Sequence, residues 1–306
     1  MLDGVLFFPV TPFGADGSVD LAALDAHVRR GVDAGPGGVF VACGTGEFHT
    51  LEVGEYEQIV RTAVAAVGGR VPVFAGAGGS VAQAKQFALA AGRAGADGIL
   101  LLPPYLVAMP QQGLVDYVSA VAATTGLDVI VYHRANARFT ETSAAAVAQL
   151  PTVIGLKDGV GDLELMARIV GAVRAAVPGK AFQFFNGMPT AEASQLAYRA
   201  IGVPLYSSAV FAFAPDVALG FYAALERGDD ATVQALLTGF YQPLVRLRDT
   251  TPGYAVALIK AGVSASGIAS GSVRPPLVDA APEHVAELGR IVAAGRAVLA
   301  GKLQDA

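Results

Sequence analysis

The chain has 306 residues, of which 53% are hydrophobic and only 15% charged, against a usual ~25% charged. That balance excludes a disordered, solvating chain, and the length fits a single α/β barrel of ~250 residues with added elements. Lys+Arg 21 against Asp+Glu 26 gives a net charge of −5 with no basic block, so no nucleic-acid partner is expected.

No run of about 18 apolar residues is present to suggest a membrane span. Met1–Pro9 lacks the basic segment and small-residue cleavage site of a secretory signal, so export is not expected. Cys43 is the only cysteine, which rules out an intramolecular disulfide or a thiolate metal cluster and makes a reducing cytoplasm the expected location.

Short apolar, β-branched runs alternate with Ala/Leu-rich segments of helical period. The runs are Gly4–Thr11, Gly38–Cys43, Val71–Ala75, Gly98–Leu102, Asp128–Tyr132, Val153–Lys157, Phe182–Asn186 and Pro204–Ser208. Most lack polar alternation, as strands buried on both faces do. The first helix starts after a capping Asp20 and places Leu21, Leu24, Val28 and Val32 on one face. Further helices are expected at Val53–Val67, Val81–Ala94, Pro110–Thr125, Ser143–Leu150, Leu163–Val177, Pro189–Ala200 and Pro215–Arg227.

Eight such pairs predict an α/β fold, a (β/α)8 TIM barrel over residues 1–228. An open doubly wound sheet shares the same periodicity. After Arg227 the strand signals stop, and helices at Asp230–Leu247, Gly253–Ala265 and Pro282–Leu299 form a C-terminal helical extension, 229–306. With no linker between the parts, one structural unit is expected.

In such a barrel chemistry sits where strands end. The second strand ends in Cys43-Gly44-Thr45-Gly46-Glu47, a tight turn whose N–H groups can cradle an anion. Glu47 there falls near a helix start, where a carboxylate is favoured. The fifth strand ends in Tyr132-His133-Arg134 and offers a proton carrier or merely an aromatic plug. The sixth ends in Gly155-Leu156-Lys157-Asp158-Gly159; a partly desolvated lysine can attack a carbonyl and form a Schiff base, whereas a rim Lys157 paired to Asp158 would be inert. Tyr105, Asn186, Ser207 and Ser208, at the ends of strands four, seven and eight, offer hydrogen bonds toward the same mouth.

No metal is expected, because His27, His49, His133 and His284 are dispersed without ligand spacing and read mostly as surface or rim residues. Gly76-Ala77-Gly78-Gly79-Ser80 carries Val81 where a dinucleotide fingerprint needs its third glycine, so it reads as another βα turn.

Taken in order, Gly44-Thr45-Gly46-Glu47, Tyr132 and Gly155-Leu156-Lys157-Asp158 resemble the signature of the dihydrodipicolinate synthase/N-acetylneuraminate lyase family of Schiff-base class I aldolases. Phe8-Pro9-Val10-Thr11-Pro12-Phe13 and Arg274-Pro275-Pro276-Leu277 extend the likeness over essentially the whole chain. The resemblance implies an eight-stranded barrel with C-terminal helices, Lys157 as the imine-forming lysine, Tyr132 as the proton-transfer tyrosine, no metal or organic cofactor, and a homo-oligomer, often a tetramer.

Gly44 in place of a second threonine, Leu106 after Tyr105, and an altered His133–Arg138 segment separate the chain from the synthases themselves. Gly44–Phe48, Pro103–Leu106, Leu156–Asp162 and Tyr206–Phe211 are more similar to the branch that dehydrates and decarboxylates 5-dehydro-4-deoxyglucarate, with departures at His133 and Ala212. That likeness implies a small anionic sugar diacid as substrate. Its keto-acid carboxylate is expected on the Gly44-Thr45-Gly46 amides, with Ser207, Ser208, Asn186 or Arg134 on the distal hydroxyl and carboxylate. A 2-keto-3-deoxy acid aldolase or lyase, a dihydrodipicolinate synthase-like enzyme of the same family, and a non-catalytic metabolite-binding barrel are the alternatives.

Overall fold

The computed structural model describes residues 1–301; the last five residues of the expected extension, 302–306, lie outside the described residues. Eight parallel strands close into a barrel in chain order: β1 Leu6–Phe7, β2 Gly38–Val41, β3 Val73–Gly79, β4 Gly98–Pro104, β5 Asp128–His133, β6 Val153–Asp158, β7 Gln183–Asn186 and β8 Leu205–Ser208. β1 pairs with both β2 and β8, which excludes the open doubly wound sheet. The first strand is far shorter than the run Gly4–Thr11. Pro9 and Pro12 follow it, and a residue without an N–H cannot extend the ladder.

Helices α1 Leu21–Asp33, α2 Val53–Val67, α3 Val81–Ala94, α4 Gln111–Ala122, α5 Glu141–Ala148, α6 Leu163–Ala176, α7 Gln195–Ala200 and α8 Pro215–Arg227 ring the barrel. Their starts are chemical: the Asp20 carboxylate accepts the Ala23 N–H, and Ser80 with Gln83 forms a reciprocal capping box. A one-turn 3-10 segment, Ala191–Ser194, precedes α7 where one continuous helix was expected.

The extension supplies α9 Asp230–Leu236, α10 Gln242–Arg248, α11 Ala255–Ala265 and α12 Pro282–Leu299. The single helix expected over Asp230–Leu247 is interrupted by a π turn at Leu237–Tyr241. Pro243 stands at the start of α10; it has no N–H for an α-helical bond four residues back, and a wider turn accommodates its ring.

Two apolar clusters follow from the alternation of strand side chains. Alternate residues face helices and fill the layer between strands and helices. The others fill the lumen, where Phe8, Phe40 and Phe74 stack with ring centroids 4.7 and 5.0 Å apart and Leu100, Ile130 and Phe185 complete the floor. Chemistry is therefore confined to the level above this floor, at the carboxyl ends of the strands. No helix among the described residues is long and apolar enough to cross a membrane.

Candidate active site

Parallel register aligns Tyr132 with Lys157 and Lys157 with Phe185, so all three face the lumen. The next residues along, His133, Asp158, Asn186 and Tyr206, are aligned in the same way and face the helices. This parity sorts the predicted residues.

Lys157 is 6% exposed, and its Nζ lies 4.2 Å from the Tyr132 ring centroid and 4.8 Å from that of Phe8. The lysine lies flat along Gly187: a Cβ there would come within 2.7 Å of Lys157 Cγ and 2.8 Å of Cε. The Tyr132 hydroxyl donates to the Gly187 carbonyl (2.9 Å) and accepts from Arg134 Nη1 (2.9 Å). Burial pushes this phenol up, but the positive charges of Lys157 and Arg134, with the Arg134 hydrogen bond, outweigh it and hold it below the usual tyrosine value. Gly159 packs close against the same ring, where a Cβ would fall 2.8 Å from Tyr132 Cε2.

These groups open into a cleft of about 830 Å³ lined also by Gly44, Thr45 and Ser207. The N–H groups of Gly44 and Thr45 donate to no acceptor among the described residues, while the turn closes through Glu47 N–H to Gly44 O (3.1 Å) and Phe48 N–H to Cys43 O (3.1 Å). Ala42 and Glu47 flank this turn at φ 49° and 56°, left-handed values for residues other than glycine; such strain persists where the surroundings fix it, often at functional sites.

Several expectations are corrected. Asn186 is fully buried facing the helices: its Nδ2 donates to Ala191 O (3.0 Å) and Gln195 Oε1 (3.1 Å), and its Oδ1 accepts the Met188 N–H. Ser208 also faces away from the lumen, donating to Glu192 Oε1 (2.5 Å) and accepting the Phe211 N–H. Gly46 sits beneath the turn rather than on the cleft wall, its carbonyl held by Thr11 Oγ1 (2.7 Å). Tyr105 is 71% exposed on a loop outside the cleft.

Asp158 does not pair with Lys157. It faces outward, where it accepts the N–H groups of Val160 (2.9 Å) and Gly161 (3.3 Å) and the Tyr198 hydroxyl. Glu47 caps no helix with its side chain and is instead fully buried in an ion pair. Two of the four histidines, His27 and His133, are buried rather than at the surface. The N–H of Val10 meets His27 Nε2 at 3.4 Å, and that of Phe139 meets His133 Nδ1 at 2.9 Å.

The extension contributes much of the cleft wall, through Arg248, Thr251, Tyr254 and Ile259 among others, and Cys43 also lines it. None of these was marked by sequence reasoning. Cys43 carried a usable signal, since it directly precedes the glycine turn; the extension residues carried none, because their approach to the barrel mouth is tertiary. Burial pushes the Cys43 thiol up to about 12, only partly offset by Lys157, so it is a neutral part of the wall. Arg248 bonds Thr190 Oγ1 through Nη1 (2.8 Å) and Asp249 through Nε (2.8 Å).

A buried primary amine packed on a tyrosine at the carboxyl end of a (β/α)8 barrel defines a barrel enzyme built for carbonyl chemistry. The profile of the Dihydrodipicolinate synthetase family matches residues 1–295, and the chain belongs to that family. It is 59% identical to a probable 5-dehydro-4-deoxyglucarate dehydratase of Streptomyces griseus, covering 97% of this chain and 93% of that one. A relative named likewise from Bradyrhizobium diazoefficiens is 46% identical, over 94% and 91% of the two chains. Among solved structures, a prophage protein of the dihydrodipicolinic acid synthase family from E. coli K12, in complex with pyruvate, superposes with a TM-score of 0.85 at 25% identity, over 96% of this chain and 98% of that one.

Proposed function

We propose that the protein is a 5-dehydro-4-deoxyglucarate dehydratase, releasing CO₂, water and 2,5-dioxopentanoate through a Schiff base on Lys157. The observation that carries this reading is the buried Lys157 amine lying over the Tyr132 ring at the base of the cleft. High identity to relatives of that name along nearly the whole chain supports the choice of reaction.

Lys157 attacks the ketone and water leaves, giving an iminium that acidifies the adjacent CH₂. Tyr132, held low by its cationic neighbours, relays the proton as the enamine forms and as the β-hydroxyl departs as water. The unsaturated iminium is conjugated toward the far carboxylate, so loss of CO₂ returns its electron pair to the same sink. Protonation of the resulting dienamine restores the iminium, the enol at the carbon that lost CO₂ tautomerises to the aldehyde, and hydrolysis then frees the product and Lys157. The iminium supplies the electron sink, so the sequence of steps calls on no metal or organic cofactor.

Gly44 and Thr45 present their amides to the keto-acid carboxylate. Ser207 and the guanidinium groups of Arg134 and Arg248 face the distal half of the diacid. The barrel, 1–228, and the extension, 229–306, act as one catalytic unit, a reading supported by the cleft walls that both contribute. A homo-oligomer, a tetramer by family resemblance, would cover the exposed Tyr105, Leu106 and Val107. In the cytoplasm Cys43 remains a thiol.

Borohydride reduction in the presence of substrate tests the reading. A stable mass is expected on the Lys157 peptide, with CO₂ and the semialdehyde appearing in unreduced samples. Full turnover with unmodified Lys157 would overturn it, and pyruvate as product would mark a lyase instead.

A further inference from the structure

A second buried lysine sits behind the cleft. Lys260, on α11, is 3% exposed at its side chain, and its Nζ lies 2.7 Å from Oε1 of the fully buried Glu47. The amine also donates to the Ser272 carbonyl (2.8 Å) and rests 4.1 Å from the Phe13 ring centroid. The other Glu47 oxygen accepts the Arg274 N–H at 2.8 Å. Taking two charges out of water is costly, and replacing such a pair by apolar residues of the same shape is often neutral or stabilising. Its geometry therefore calls for another explanation.

The backbone of Glu47 supplies one. Its φ of 56° is held against the preference of a side-chain-bearing residue. Its N–H closes the turn on Gly44 O, and its carbonyl takes both the N–H and the Oγ1 of Thr50, at 2.9 Å each. One residue earlier, Thr11 Oγ1 fixes the Gly46 carbonyl. The turn is pinned from β1's continuation on one side and from the extension on the other, with the Gly44 and Thr45 amides left free on the cleft wall.

We propose that Lys260 is a positioning residue for carboxylate recognition: through Glu47 it locks the Gly44-Thr45 turn so that the cleft selects 2-oxo acids over neutral ketones. The inference rests on the reading that this turn receives the keto-acid carboxylate. Lys260 touches no reacting atom; it sets the direction of the amides that do the binding.

The test uses the full chain and reads borohydride capture on Lys157 with two probes, pyruvate and the carboxylate-free ketone hydroxyacetone. Lys260→Met alone strands the Glu47 charge and can fail to fold, so the deciding variant is Lys260→Met with Glu47→Gln, which removes both charges and keeps an acceptor for the Arg274 N–H. At a melting temperature confirming the folded state, capture of subsaturating pyruvate is expected to slow at least tenfold while capture of hydroxyacetone changes less than twofold. Unchanged pyruvate capture would overturn the proposal, as would an equal slowing of both probes, which marks a general loss of structure. If wild type captures pyruvate on Lys157 yet releases no CO₂ from the diacid, the dehydratase reading fails alone, and the pyruvate and hydroxyacetone arms still decide the role of Lys260.

Discussion

The two faces of the same strand ends do opposite work. Inward, Tyr132, Lys157 and Ser207 border open space with few protein partners. Outward, one residue further on, Asp158, Asn186 and Ser208 are saturated by protein groups. A polar side chain at a barrel strand end is therefore not by itself a binding group: the free one is available to substrate, and the saturated one holds the loop that carries it. Asp158 shows the second role, because its carboxylate fixes the turn whose Gly159 backs the Tyr132 ring.

The largest expected contrast across this divide is at Lys157. Lys157→Ala removes the only nucleophile proposed and should abolish turnover, while the melting temperature stays near that of wild type because the amine packs on the Tyr132 and Phe8 rings and anchors no backbone group among the described residues. Tyr132→Phe comes next. It keeps the ring against Lys157 but deletes the hydroxyl, so kcat should fall by about 10²–10⁴-fold, the usual span for a lost acid–base group, with KM changed much less. Equal kinetics to wild type would remove Tyr132 from the chemistry. On the outward face the loss moves from turnover to stability. Asn186→Ala leaves buried partners at Ala191, Gln195 and Met188 unmet, which should cost about 2 kcal/mol of stability and lower the melting temperature by several degrees, with KM within threefold of wild type. A large rise in KM without loss of stability would return Asn186 to the cleft.

How far the sequence foretold this differs between the scaffold and the site. Strand and helix positions were legible because caps and apolar periods are local: α2, α3, α8 and α12 begin and end where the pattern placed them. The pairing of Lys157 with Tyr132 at one strand-end level was legible because a lysine on an apolar strand is a conspicuous exception. Inward and outward parity was not. Both faces of these strands are buried, so hydrophobicity marks neither, and the β5–β6 register shifts between Val129 and Ile130. Asn186 and Ser208 thus looked equivalent to Ser207. The π turn depends on Pro243, and the Glu47–Lys260 pair on residues far apart in the chain; neither is written in a local period.

The smallest expected effect probes the outward face by pH. Ser208 donates to Glu192, a buried carboxyl on the 3-10 segment before α7 whose other close polar neighbour is the buried Tyr241 hydroxyl. Burial pushes this acid from 4.5 up to about 7, against the lowering effect of the Ser208 hydrogen bond. Its neutral form is thus the one the fold prefers. As pH rises from about 4.5 the unfolded chain releases this proton first, so stability falls until about pH 7 and then levels, by on the order of 3 kcal/mol in total. His27 acts with the opposite sign. Burial, aided by the charge of Arg30, pushes it down to about 3, so its contribution is gained as pH rises from about 3 and is complete above 6.5. Between pH 4.5 and 6.5 the two slopes oppose each other, and wild type should show a shallow profile there. Glu192→Gln removes one of them. Unfolding free energies measured by denaturant at each pH should then give a variant-minus-wild-type difference that climbs between pH 4.5 and 7 and is flat above. A difference independent of pH would show that Glu192 carries its charge in the folded protein, and that the outward polar layer is a charged network rather than a neutral one.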